Sequence, residues 1–298
     1  MTRMCPARIS TRLFFRKGYE MVAKLKGNAV IGQSGGPTCV INQSLIGAIE
    51  EARRTDAIEN FYGAREGVKG ILAENFIDLF KQPADLLERV ANTPGAALGS
   101  VRMKPSDDQC RQIFEVFRSR DVRYFFYIGG NDTAETADIV NRMAAEANYE
   151  LRVFHIPKTI DNDLCVTDHC PGFGSAAKFV ASAFLGDDTD NRSLMGVKIN
   201  VVMGRHAGFL TAASILARVR PDSGPHLVYV PEVDFDEKQF ARDVLQVYDK
   251  LGRCIVAVSE GIHDADGVTV TEKIATAGSN EEDTEGDEGK DNTTGNTG

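Results

Sequence analysis

From residue 28 to residue 259, short apolar runs alternate with segments whose apolar residues recur at helical spacing, and glycine-bearing polar clusters close several of the runs. "NAVIGQ" (28–33) stops at Ser34-Gly35-Gly36-Pro37, after which Val40, Ile41, Leu45, Ile46 and Ile49 mark a helix. "QIFEVFRSR" (112–120) predicts a helix and "VRYFFYI" (122–128) a buried strand closed by Gly129-Gly130. Asp132 to about Ala147 reads as helix and Leu151–Ile156 as the next strand. Further on, "LMGVKINVVMG" (194–204) predicts a long strand and His206–Val219 an amphipathic helix. "HLVYV" (226–230) as a strand, Glu237–Leu251 as a helix and "CIVAVS" (254–259) as a strand complete the order. Alternation of this kind implies an α/β fold of Rossmann-like, mostly parallel sheets with helices on both faces. In such sheets, ligands bind outside the carboxyl ends of the strands.

Composition narrows the class of function. At 298 residues the chain has room for one large or two medium domains. No apolar run approaches the roughly 18 residues of a membrane helix, so no bilayer span is expected. The six cysteines (5, 39, 110, 165, 170 and 254) are scattered. Cys165, His169 and Cys170 lie close together, but without a second group of ligands free thiols are the expectation. Residues 279–298 hold seven acids against Lys290, two thirds of the net charge of −9, and no large apolar side chain. That stretch reads as a disordered tail. The remaining charge gives no reason to expect a nucleic acid partner. The first twenty residues carry Arg3, Arg8, Arg12, Arg16 and Lys17 with no acid before Glu20. They read either as an organelle transit peptide or as an upstream start ahead of Met21, with a cytoplasmic location the main expectation.

Five polar clusters fall where strands end: Ser34-Gly35-Gly36, Gly129 to Thr133, Pro157 to Asp163, Met203-Gly204-Arg205 and Ser259-Glu260-Gly261. One would be a turn; five on one sheet edge describe a site. Gly35 and Gly36 lead into a helix N-terminus, where bare N–H groups and the helix dipole favour a phosphate. Gly130 repeats the arrangement, with Asn131, Asp132 and Thr133 equally suited to capping the helix that follows. In extended chain, Asp161 and Asp163 point the same way and Asn162 the other. Such a pair can divide the work between taking a proton and holding a partner or a hydrated Mg²⁺. Lys158, Arg102 and Arg205 add cations, although Arg205 equally suits a surface ion pair and Glu260 a solvated acid. Phosphoryl transfer to a sugar hydroxyl uses every group named.

The set "SGGPTCVIN", "GSVR", "GGND", "PKTIDND", "MGRHAG" and "SEGI", in this order, resembles the phosphofructokinase family over roughly residues 27–263. The resemblance implies the two-domain fold of that family. It also implies Mg²⁺-assisted, reversible transfer of a phosphoryl group to the 1-hydroxyl of fructose 6-phosphate in glycolysis. By position, Asp161 would be the base, with Thr159, Lys158 and Asp163 beside it. Gly35, Gly36, Arg102, Gly130, Asn131, Asp132 and Thr133 would hold the donor, and Met203, Gly204, Arg205 and Glu260 the sugar phosphate. Asn131 and Asp161 would face the metal, although many family members have an aspartate at the first of these positions.

ATP-dependent members generally carry glycine in place of Asp132, and often in place of Lys158; the pyrophosphate-dependent branch is similar to this chain at both. A carboxylate at 132 would repel a nucleotide's α-phosphate, and Lys158 can grip a small diphosphate. Pyrophosphate and fructose 6-phosphate are therefore the expected partners, with ATP as the alternative donor. After Gly261 the likeness fades, and the arginine usual shortly before "MGR" is replaced around Gly196 and Lys198. The expected organisation is a basic extension (1–24), a donor domain (25–160), an incomplete sugar-phosphate domain (161–270) and an acidic tail (271–298). Incompleteness implies reliance on a homo-oligomer or partner subunit, or a non-catalytic relative.

Overall fold

A computed structural model of the chain describes residues 25–274. The basic extension and most of the acidic tail lie outside the described residues. The apolar run that stops at Ser34 forms β1 (Gly27–Gln33). Thr38 then caps α1 (Cys39–Ala52), its hydroxyl accepting from Val40 N at 3.3 Å. β2 (Ile58–Ala64), α2 (Gly67–Leu72), β3 (Phe76–Asp78) and α3 (Ala84–Ala91) follow. None of these four was among the elements read from sequence. A capping box formed by Ser106 and Gln109 opens α4 (Asp107–Ser119), which starts five residues earlier than its apolar periodicity indicated. β4 (Val122–Gly129), α5 (Asn131–Glu146) and β5 (Arg152–Pro157) match the expected order.

These strands make a five-stranded sheet in the order β3-β2-β1-β4-β5, parallel except for the antiparallel β3. β1 sits at its centre, with Val30 opposite Tyr62 on one side and Phe125 on the other. Strand alternation divides the core. Val30, Phe125 and Tyr127 pack with Ile113 and Phe117 of α4 and Val140 of α5. Ala29 and Ile31 face Ile41, Leu45 and Ile49 of α1. Each large side chain so buried contributes roughly 1.5–3 kcal/mol. That face-to-face covering is why β1 and β4 read as largely apolar runs rather than alternating ones.

After β5 the chain loops through residues 158–172 into α6 (Phe173–Leu194), a long helix absent from the sequence reading. Leu194, expected in a strand, ends this helix; Met195 (φ 55°) and Gly196 (φ 89°) turn the chain, and β6 covers only Gly196–Val202. The helix expected over His206–Val219 is also shorter. α7 covers Phe209–Ala213, and a 3₁₀ turn covers Ser214–Ala217. Its ends are tied elsewhere: Gly208 N donates to Glu232 Oε1 at 2.7 Å, and Arg218 donates to the carbonyls of Pro225 (2.6 Å) and His226 (3.1 Å). β7 (Leu227–Tyr229), α8 (Glu237–Leu251) and β8 (Arg253–Ser259) complete the described fold. Asp236 caps α8 by accepting from Lys238 N and Gln239 N, and Gly252 at φ 69° ends it.

The second sheet is wholly parallel, in the order β6-β8-β7. Every residue of the central β8 is buried. An ion-pair network anchors the start of that strand. Arg253 Nη1 meets Asp188 Oδ1 of α6 at 2.7 Å, Gly224 N donates to the same oxygen at 2.9 Å, and Arg192 holds Oδ2 at 3.1 Å. Asp188 and Arg253 are each 4% exposed.

Candidate active site

The carboxyl ends of β1, β4 and β5 open onto one cleft of about 660 Å³. It is lined by Gly35, Gly36, Arg102, Gly130, Asn131, Asp132, Thr133, Lys158, Thr159, Asp161 and, from the second sheet, Met203. Eleven of the fifteen residues singled out from sequence thus share one cavity. Asp163, Gly204, Arg205 and Glu260 stand outside its lining.

On the floor, glycine leaves the backbone within reach of cations. A Cβ at Gly35 would lie 3.4 Å from the Lys158 ammonium, and one at Gly36 would lie 3.6 Å from an Arg102 guanidinium nitrogen. Gly35 has φ +76°, the left-handed region where glycine is favoured. The turn is fixed against the segment bearing Arg102: Gly35 N and Ser34 Oγ donate to Val101 O, and Ser100 Oγ donates to Gly35 O at 2.5 Å. At the end of β4, Gly129 allows the strand to run into α5 with no side chain in the way. A Cβ there would lie 2.3 Å from Thr133 Oγ1 and 2.9 Å from Ser34 O. Gly129 O accepts from Lys158 N at 2.9 Å and bonds the His155 Nε2 at 3.0 Å, joining this turn to the loop after β5.

That loop is not extended, as the reading of its carboxylates had assumed. Asn162 is at φ +60° and buried. Its side chain accepts from Cys170 N at 2.8 Å and donates to Asp168 O at 3.2 Å, curling the chain so that Asp161 and Asp163 are not set by strand alternation. Thr159 links the two instead, accepting from Asp161 N at 3.1 Å and donating to Asp163 Oδ1 at 3.3 Å. Asp161 lines the cleft while Asp163 is exposed beside it.

The electrostatics follow from this packing. Burial pushes the Asp161 carboxyl above its ordinary value, and the charges of Asp163 and Glu260 push it further, against the pull of Lys158 and His206. Glu260 is thereby placed in the electrostatic neighbourhood of Asp161, although it does not line the cleft; Gly204 N donates to its carboxylate at 3.2 Å. Burial and the nearby Arg102 push the Lys158 ammonium below its ordinary value, with Asp161 opposing them. Arg205 is exposed and lies near the Glu272 carboxylate. Lys104, Met103 and His155 also line the cleft without having been singled out. Arg102 and Lys104 alternate in "VRMK", a spacing that puts both on one side of an extended segment and was a usable signal.

A phosphofructokinase family model matches residues 28–296. The chain belongs to that family. Among its phosphofructokinase relatives, a pyrophosphate–fructose 6-phosphate 1-phosphotransferase of Rhodospirillum rubrum is 57% identical over 250 residues, covering 84% of this chain and 62% of its own length. The protein of the same name in Xanthomonas campestris is 44% identical over 255 residues, covering 83% of this chain and 60% of its own length. The crystal structure of a pyrophosphate-dependent phosphofructokinase from Nitrosospira multiformis matches with a TM-score of 0.73 at 39% identity, over 84% of this chain and 65% of that one. The chain therefore spans less than two thirds of the length of these phosphofructokinases.

Proposed function

We propose that this chain transfers a phosphoryl group from inorganic pyrophosphate to the 1-hydroxyl of fructose 6-phosphate, giving fructose 1,6-bisphosphate and inorganic phosphate. The observation that carries the donor reading is that Asp132 and Lys158 both line one cleft. Asp132 places a carboxylate at the first turn of α5, and the 9% exposed Lys158 stands beside the Gly35 backbone. A small diphosphate satisfies the cation without a nucleoside that must pass the carboxylate. The names of the relatives at 57% and 44% identity support the same donor and acceptor.

In this reading Asp161 takes the proton of the sugar hydroxyl as its oxygen bonds to phosphorus, the bridging P–O bond breaks, and phosphate leaves. Burial and the flanking carboxylates raise the basicity of Asp161, which suits a proton acceptor. Lys158 and Arg102 offset the negative charge of the donor. The first sheet serves the donor, and Met203, Gly204, Arg205 and Glu260 at the edge of the second sheet serve the sugar phosphate. A divalent cation, Mg²⁺ in this proposal, fits the donor set. Among the described residues no group of three or more acidic, His or Cys side chains forms a protein cage, and Mg²⁺ is commonly held by one or two protein oxygens plus phosphate. Asp161 and Asn131 are the residues that would face it, where it would neutralise charge on the phosphates.

The test is formation of fructose 1,6-bisphosphate by the purified chain with Mg²⁺ and fructose 6-phosphate, offering pyrophosphate and ATP in parallel. Turnover with pyrophosphate alone supports the reading. Turnover with ATP alone refutes the donor assignment, and a folded chain silent with both refutes the activity.

A further inference from the structure

The outer end of the donor cleft carries an ion pair that phosphoryl transfer leaves without a role. Lys104, two residues beyond Arg102 on the extended segment, meets Glu135 of α5 at 2.9 Å. Asp132 stands three residues before Glu135, on the same helix face. The hydrogen bond and charge of Glu135, then the charge of Asp132, hold the Lys104 ammonium above its ordinary value despite opposing desolvation. The pair thus fastens the segment bearing Arg102 to the first turns of the helix that bears Asp132, two walls of one cavity.

The cleft's three lysine and arginine side chains differ in exposure: Lys158, beside Gly35, is 9% exposed, whereas Arg102, beside Gly36, and Lys104 are both exposed. Among the described residues, neither Lys158 nor Arg102 is paired with a carboxylate within ion-pair distance, so both stay available to phosphate oxygens. Lys104 alone of the three is held by a carboxylate. Building on the pyrophosphate reading, we propose that the Lys104–Glu135 pair sets donor length. It closes the mouth beyond two phosphates and withholds from a third phosphate the cation that would bind it. The chemistry it discriminates is inorganic triphosphate, or any donor with a group beyond its second phosphate, against diphosphate.

Because both side chains are about half exposed or more, the pair adds little to stability, and its removal leaves the fold intact. The test is calorimetric titration of the full chain with inorganic diphosphate and inorganic triphosphate in the same buffer. In Glu135→Gln the ratio of affinities should move toward triphosphate by about fivefold, the order of one exposed charge pair. Adding Lys104→Gln should abolish that gain, and exchanging the charges (Lys104→Glu with Glu135→Lys) should return the ratio towards wild type. A purely structural pair would leave the ratio unmoved. A folded Glu135→Gln protein with the wild-type ratio and normal diphosphate affinity overturns the length-setting role alone. So does a gain that persists without Lys104. A folded wild type that binds neither polyphosphate overturns the pyrophosphate reading, and the length-setting role with it.

Discussion

Replacing Asp188 by asparagine would test how the second sheet is held. The carboxylate receives Arg253 Nη1 at 2.7 Å, Gly224 N at 2.9 Å and Arg192 Nε at 3.1 Å. Burial works against its charge, but those hydrogen bonds and the Arg253 charge outweigh it and bring the pKa from 3.8 to about 2. At about 1.36 kcal/mol per pH unit, that preference for the carboxylate is on the order of 2 kcal/mol. The substitution also strands Arg253, 4% exposed, as a buried cation lacking its nearest carboxylate; breaking one side of such a pair costs about 3–5 kcal/mol. Urea denaturation at pH 7, followed by circular dichroism, should show a loss in that range. The sign with pH is fixed by the lowered value. The carboxylate's contribution is complete above about pH 4 and vanishes as pH falls through about 2, so the gap between wild type and Asp188→Asn should narrow over that interval. A double change to Asp188→Leu and Arg253→Met should recover most of the loss. A loss below about 1 kcal/mol in Asp188→Asn, or a gap that stays constant down to pH 2, would refute the assignment.

The remaining predictions concern the cleft. Asp161→Ala should reduce turnover by roughly 10²–10⁴-fold while pyrophosphate binding is retained, measured by coupled assay and calorimetry; equal loss of both removes Asp161 as the base. If Asp161 is the base proposed above it works deprotonated, and because its pKa is raised by burial, Asp163 and Glu260, the acid limb of the rate profile should stand above that of an ordinary aspartate. Glu260→Gln should shift the limb to lower pH, and an unmoved limb contradicts the electrostatic coupling. In Asp132→Gly with Lys158→Gly, nucleotide titration should reveal ATP binding absent from wild type; a folded double variant without it rejects the charge argument for donor choice. Gly129→Ala should destabilise by about 1–3 kcal/mol in chemical denaturation, since its Cβ would meet Thr133 Oγ1 at 2.3 Å.

The sequence made the first sheet's central strands and the cleft legible for one physical reason. β1 and β4 are covered on both faces, so their residues form apolar runs, and the glycines that end them must stay small for the helices that follow. α8 was equally visible, because Asp236 and Gly252 mark its ends. α6 was not. Only Phe184, Asp188 and Asn191 are buried along its 22 residues, and two of those are polar, so no apolar stripe announced it. β3 has three half-buried residues and no run to see. The loop holding Asp161 defeated strand logic because the Asn162 side chain replaces ladder hydrogen bonds with local ones. Glu260 stands out in sequence as a candidate, but its influence on Asp161 depends on how the second sheet meets the first, which spacing along the chain does not encode.

The strand order β6-β8-β7 also bears on the sequence of events during synthesis. Among the described residues, β6 and β7 do not pair with each other; each pairs only with β8, the last of the three to be made. When the ribosome has finished β6 at Val202, its ladder partner still lies ahead, at Arg253–Ser259. At about 5–20 residues per second that interval lasts several seconds, during which Val197, Ile199 and Val201 have no strand beside them. The wait ends only when the seven residues of β8 enter between two strands already made. A nascent chain stalled before Arg253 would therefore hold α6 and two strand segments without a second sheet, a target for chaperones rather than a half-built domain.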